Sequence, residues 1–151
     1  MADTRMSRQE REAFLADLHV GVISIPRPDG PPLAAPIWYD YEPGGDIWLL
    51  TGPTSQKGRL LREGTRVTLV AQREALPYAY VTVEGTVTGV READTEADTL
   101  PMARRYLGEK GGDAYTAANS DDVSVRLTVR PDRWLTVDYA KTGLPTEQKN
   151  V

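Results

Sequence analysis

The chain of 151 residues carries 18 Lys and Arg against 22 Asp and Glu, a net charge of −4, with 40% hydrophobic and 26% charged residues. That balance describes one soluble globular domain able to bury a core, and it gives no footing for a general nucleic-acid role. Cysteine is absent and His19 is the single histidine, which removes disulfides, thiolate nucleophiles, Cys-type zinc sites and any His-rich metal centre within one chain.

Met1 to Arg8 is polar and lacks the apolar stretch of a signal peptide, and no run reaches membrane-spanning length. A cytoplasmic protein with no membrane or nucleic-acid partner and no metal is expected. One domain is expected over 1–151, with 1–6 and 142–151 as tails. Ser7-Arg-Gln-Glu10 is a capping box, and behind it Phe14, Leu15 and Leu18 share one face of a short helix. Val20 to Ile25 is β-branched and apolar and predicts a buried strand. Arg27 to Pro32 is a turn. Leu33 to Tyr41 predicts a second strand, with Leu33, Ala35, Ile37, Tyr39 and Tyr41 on one side and Pro36 and Trp38 on the other. Pro36 removes a backbone donor, which suits an edge strand or a bulge. After Glu42-Pro-Gly-Gly45, Ile47 to Thr51 predicts a third strand.

Thr51-Gly-Pro-Thr-Ser-Gln-Lys57 leads into a short helical run ending near Gly64. A cation in the first turn of a helix opposes the helix dipole. A bound anion reverses that argument: free amides, the hydroxyls of Thr54 and Ser55 and the Lys57 ammonium would converge on one phosphate. The competing reading is an exposed lysine on an ordinary cap made by Ser55 or Thr54.

Arg66 to Gln72 predicts a strand, and Tyr78 to Val90 a long one in which Gly85 and Gly89 mark a bulge or bend. Thr95 to Leu107 predicts a helix, restarted at Pro101 and stopped by Gly108, with one short turn at Asp113 to Ala118. Val123 to Val129 and Trp134 to Tyr139 complete about six or seven strands joined mainly by short turns. The expected fold is mainly β with peripheral helices, arranged as a small antiparallel barrel.

Nucleophilic triads fail on inventory. His19 reads as a residue at the C-terminal end of the first helix, and no second His or Cys remains to activate a serine. Asp121-Asp122, and Glu92 with Asp94, read as solvated loops. Glu84 points away from the barrel interior, where pairing with an arginine outweighs catalysis. A chain this poor in reactive groups can still be an enzyme if a cofactor carries the chemistry. Pro36, Trp38 and the aromatic-rich Leu76-Pro-Tyr-Ala-Tyr80 suit a planar ring, although sheet and interface packing would use the same residues.

Taken in order, Phe14 to Ile25, Pro32 to Tyr39, Ile47 to Gly52, Ser55-Gln-Lys57 with Leu60-Leu61-Arg62, Tyr80 to Gly85 and Arg133 to Asp138 resemble the split β-barrel flavin-binding proteins of the pyridoxamine 5′-phosphate oxidase-like superfamily, specifically its flavin/deazaflavin oxidoreductase B group. The resemblance implies a homodimer with two cofactor sites in the grooves between subunits. It implies that Ser55, Gln56 and Lys57 hold the cofactor phosphate, that Ala35, Pro36, Ile37 and Trp38 run beside the ring, and that Leu50 and Thr51 touch it. Leu76, Pro77, Tyr78 and Ala79 would come from the partner chain, with Tyr78 the candidate proton donor and solvent the alternative.

The chain departs from true pyridoxamine phosphate oxidases. The strand Leu33 to Tyr39 has no cation for an FMN phosphate, and no His follows position 19 to build their C-terminal substrate motif. The thinner phosphate site suits the deazaflavin coenzyme F420. Arg8, Arg11, Arg59 and Arg62 are candidates to face its glutamate tail, with a solvated helix face as the ordinary use of most of them. The expected activity is F420-dependent hydride transfer to a small electron-poor molecule. The alternatives are an FMN-dependent oxidoreductase and a non-catalytic flavin-binding or storage protein. Haem is disfavoured by the single histidine.

Overall fold

The computed structural model of the chain describes residues 2–145. Helix α1 (Arg8–Ala16) opens on the capping box: Ser7 Oγ accepts from the Glu10 amide at 3.1 Å, and the Ser7 amide donates to Glu10 Oε1 at 2.9 Å. Phe14 and Leu15 are buried against the sheet, whereas Leu18 lies beyond the helix and is exposed. His19 closes the helix as the sequence suggested. Its Nε2 donates to the Phe14 carbonyl at 2.9 Å and its ring stacks on Phe14; a carbonyl only accepts, so Nε2 carries the proton.

Seven strands form one antiparallel sheet: β1 (Gly21–Ile25), β2 (Leu33–Ile37), β3 (Tyr39–Tyr41), β4 (Ile47–Thr51), β5 (Arg66–Arg73), β6 (Ala79–Glu92) and β7 (Val125–Asp138), in the order β2-β1-β5-β6-β7-β4-β3. The edge strands β2 and β3 are separated in sequence by Trp38 alone. Their facing ends, Ile37 and Tyr39, are therefore no more than roughly 7 Å apart. The sheet must roll up until its two edges meet at that residue, so the chain itself closes the barrel where no ladder does. The single strand predicted from Leu33 to Tyr41 is thus two strands on opposite edges. Ile37, Tyr39 and Tyr41 stay buried throughout, so the inward phase runs through the crossing and hides the change of partner. Pro36 does sit on an edge strand.

The bend in β6 is also present. Its register against β7 shifts at Glu84/Gly85 and at Val87/Gly89. A Cβ on Gly85 would lie 2.6 Å from Val129 Cγ1 and 2.8 Å from the Arg130 carbonyl oxygen, so no larger residue fits that close approach. Pro131 pairs with Gly85 at the shift, and β7 continues through it as one strand where the sequence predicted a break. Glu84 has Arg133 as its register partner, but the predicted ion pair is not formed among the described residues. Residues 4–6, expected as a tail, are tied to β7: the Met6 amide donates to Thr136 Oγ1 at 2.9 Å and the Asp138 amide to the Thr4 carbonyl at 2.8 Å. Of the predicted C-terminal tail, 146–151 lies outside the described residues. Among the described residues no helix is long and apolar enough to cross a membrane.

Helix α2 (Gln56–Leu60) follows β4, and a π-helical turn (Thr95–Thr99) leads into helix α3 (Leu100–Ala118). Gly108, at φ 78 and ψ 174, breaks α3 as predicted, but the second segment is far longer than one turn. It folds back so tightly that a Cβ on Gly112 would meet Arg104 at 2.6 Å. Two side chains of the first segment occupy the barrel's seam. Tyr106 Oη accepts from the Tyr39 amide at 3.0 Å and donates to the His19 carbonyl at 2.6 Å. Arg105 donates to the carbonyls of Tyr39, Ala16 and Asp17 at 3.0–3.2 Å.

The approach to α3 is anchored by Asp98, which is 1% exposed. Its carboxylate accepts from Arg91 at 2.7 and 3.0 Å, from Arg126 at 2.8 Å and from the Asp94 amide at 2.8 Å. Arg126 in turn lies over Trp48, 4.1 Å from the ring centroid. The Arg91 bonds, with help from the Asp94 amide and Arg126, hold the carboxyl at about 2 against its ordinary 3.8 despite burial.

Two outcomes are expected. Tyr106→Phe leaves buried backbone groups of Tyr39 and His19 unpaired and should lower unfolding free energy by about 1–3 kcal/mol in denaturant titrations. Asp98 has a folded pKa below its unfolded value, so its stabilisation is complete above pH 3.8 and disappears as pH falls through about 2. Asp98→Asn should lose on the order of 2 kcal/mol at neutral pH, and its stability should vary less than the parent's across that acid window.

Candidate functional site

A cavity of about 420 Å³ lies between the barrel's seam and the helical hairpin. Such a volume is typical of a small-molecule site. The barrel contributes Pro36, Ile37, Trp38, Leu50, Thr51 and Gly52, and the helical segment contributes Thr95, Thr99, Met102, Ala103, Tyr115, Thr116, Asn119, Ser120, Asp122 and Ser124. Five predicted site residues, Pro36, Ile37, Trp38, Leu50 and Thr51, are therefore brought together. They come from strands that share no ladder, β2 and β4, and meet because the chain crosses at Trp38. Ala35 is half-buried in β2 and does not line the cavity.

Trp38 is already partly used. Its indole stacks on Tyr106, with centroids 4.9 Å apart and planes 5° apart, and it meets Tyr115 at 5.6 Å. The packing role that the sequence left open is thus realised on this side chain. Burial pushes the Tyr106 hydroxyl above its ordinary pKa, so it stays protonated and keeps donating to the His19 carbonyl.

The Ser55-Gln56-Lys57 segment lies beside the cavity. Thr51 Oγ1 and Ser55 Oγ are 3.1 Å apart. Ser55 Oγ donates to the Gly52 carbonyl at 2.7 Å and accepts from the Gly58 amide at 3.0 Å. Its hydroxyl is the helix cap, the second of the two uses the sequence allowed it. Helix α2 is also shorter than predicted, ending at Leu60 rather than near Gly64. A Cβ on Gly58 would collide with the Gly52 carbonyl, so the turn depends on a glycine there. Lys57 is half-buried and Gln56 and Thr54 are exposed. Among the described residues Lys57 makes no ion pair.

Leu76, Pro77, Tyr78 and Ala79 are elsewhere in the chain's own fold. Ala79 pairs with Asp138 at one end of β6, while the cavity adjoins the other end, where Glu92 pairs with Val125 and Val125 with Thr51. Tyr78 is 49% exposed, and its carbonyl accepts from the Tyr139 amide at 3.0 Å. The chain's own fold therefore does not bring this candidate donor to its cavity.

The cavity wall from α3 was not foreseen. Tyr115, Asn119 and Asp122, all beyond Gly108, join the site because that glycine turns the helix back on itself. The glycine was visible in the sequence, but the direction of the second segment was not.

The model of the pyridoxamine 5′-phosphate oxidase family matches residues 7–138. No curated protein sequence matches the chain. Among solved structures, a conserved hypothetical protein from Mycobacterium tuberculosis superposes with a TM-score of 0.77 at 24% identity, over 100% of this chain and 96% of that one. An F420 reductase superposes with a TM-score of 0.68 at 26% identity, over 82% of this chain and 94% of the other. An FAD- and haem-binding protein from Mycobacterium smegmatis superposes with a TM-score of 0.63 at 18% identity, over 96% and 76%. With the matched span running from the cap of α1 to the end of β7, and with the rolled seven-strand sheet, the chain belongs to the pyridoxamine 5′-phosphate oxidase family.

Proposed function

We propose that the chain is an F420-dependent oxidoreductase of the flavin/deazaflavin oxidoreductase B group, acting as a homodimer on a small electron-poor substrate. The observation that carries this reading is the seam cavity, which gathers Pro36, Trp38, Leu50 and Thr51 next to the turn bearing Lys57. Its walls suit a planar ring: apolar on Pro36, Leu50 and Met102, with hydroxyls and an amide along the helical side. The likeness to an F420 reductase supports the cofactor choice, as does the absence of any cation on β2. When bound, the coenzyme supplies the hydride chemistry. Lys57 and Gln56 hold its phosphoryl end, Thr51 and Leu50 set the depth of the ring, and α3 keeps water from one side. An FMN-dependent oxidoreductase is the second reading, favoured by the ammonium of Lys57 at the head of α2.

The outer sheet face supports the dimer. The register places Pro36, Val22, Val70, Thr82 and Leu135 in one row across five strands, all pointing outward. Val22 is 42% and Leu135 46% exposed. Pro36 also lines the cavity, so a second copy docked on this face would border the site, and on this reading it contributes its Leu76 to Ala79.

Parallel titrations of the purified protein with FMN and F420 test the cofactor. F420 binding with hydride transfer to an acceptor panel is expected. Tight FMN binding without F420 binding overturns the choice, and binding without turnover favours storage. Lys57→Ala should weaken binding by about 1.5–3 kcal/mol with little change in the melting of the apo protein. The double substitution of Val22→Glu with Leu135→Asp should give monomers in light scattering and at least about a tenfold loss of cofactor affinity, roughly 1.4 kcal/mol.

A further inference from the structure

We infer that a second concavity, separate from the coenzyme cavity, binds a small carboxylate or phosphate anion through Arg11. This hollow of about 210 Å³ lies between α1 and the β3–β4 turn. It adjoins Asp46 and Arg130, at the start of β4, where Ile47 pairs with Val129; the coenzyme cavity adjoins Thr51 at the other end. At the rise of a strand the two are separated by about 13 Å.

Arg11 is the unusual group. Its Nε is buried and has no hydrogen-bond acceptor, the only such side-chain atom among the described residues. Its guanidinium lies over Trp134, 4.8 Å from the ring centroid. Trp134 is itself braced, edge-on to Tyr41 at 6.0 Å, and Tyr41 Oη accepts from the Gly44 amide at 3.2 Å. The planar fork is therefore held in place before any ligand arrives. A buried N–H without an acceptor is costly, and a guanidinium only donates, in a geometry that matches the paired oxygens of carboxylate and phosphate.

The other charges lining the hollow do not answer this need. Glu12 also lines the hollow and is engaged by Arg8, Nε to Oε1 at 3.2 Å. Arg130 is paired with Asp132 at 2.9 Å. Asp46 is exposed at the rim. With Arg8 held by Glu12 and Arg130 by Asp132, Arg11 is the guanidinium of the hollow without an ion-pair partner among the described residues, and Asp46 the carboxylate without one.

Titration of the full-length protein with inorganic phosphate and with glutarate, at ionic strength held constant by chloride, tests the assignment. A saturable rise in melting temperature is expected in the parent protein. Arg11→Gln should weaken the apparent affinity at least tenfold, Arg11→Lys by less, and Lys57→Ala not at all, which keeps this site distinct from the coenzyme phosphate. Should Arg11→Gln fail to fold, Arg130→Gln should still weaken binding several-fold. The inference is overturned by the absence of a saturable response in the parent, by an equal response in Arg11→Gln or in a folded Arg130→Gln, or by a response that Lys57→Ala abolishes.

Discussion

At Trp38 the two edges of a seven-strand sheet are brought together by one residue of chain. Closure of this kind leaves backbone donors and acceptors facing a gap rather than a neighbouring strand, and buried backbone groups must find partners. Arg105 and Tyr106 supply them. Between them they meet the amide and carbonyl of Tyr39 and the carbonyls of Ala16, Asp17 and His19. The same contacts tie α1, the seam and α3 into one unit, so the place where the barrel is split is also where its peripheral helices are fastened.

The cavity is a by-product of that fastening. The first segment of α3 is fixed at the seam by Arg105 and Tyr106. The turn before it is fixed by Asp98 to Arg91 and Arg126, on β6 and β7. Gly108 reverses the helix, and Tyr115 and Thr116 of the second segment join Met102 and Ala103 of the first in the cavity wall. A wall held at separate points leaves room behind it, and here the room opens onto Pro36, Leu50 and Thr51. Asp98 is the more exacting anchor, because removing one partner of a buried ion pair leaves the others uncompensated.

The chemistry available at the site is positional. The single histidine is bonded to the Phe14 carbonyl, and Tyr106 is committed to the seam. What remains is apolar wall, hydroxyls, the Asn119 amide, the Asp122 carboxylate and one half-buried ammonium nearby. Such a set holds a molecule that brings its own reactivity, in keeping with a family of flavin-fold proteins. The mostly apolar outward row ending at Pro36 joins the dimer question to the site question, since the same proline belongs to both surfaces.

Much of this was legible along the chain. The capping box at Ser7, the bend glycines Gly85 and Gly89, the stop at Gly108 and the inward phase of Ile37, Tyr39 and Tyr41 are local signals. Each depends on backbone conformation or on a two-residue alternation, and each recurs in the fold. Ser55 was legible only as an alternative, because a hydroxyl can cap a helix or bind a ligand and the sequence does not say which. The division of Leu33 to Tyr41 between two edges, the burial of Asp98 and the placing of Tyr106 and Tyr115 around Trp38 were not legible. They depend on which distant strands pair, and alternation is the same whichever partner a strand takes. By itself the sequence determined most of the elements, the inward faces and the poverty of reactive groups. Tertiary structure alone decided where the barrel closes, because closure is set by the register summed over every strand, and with it where the cavity opens.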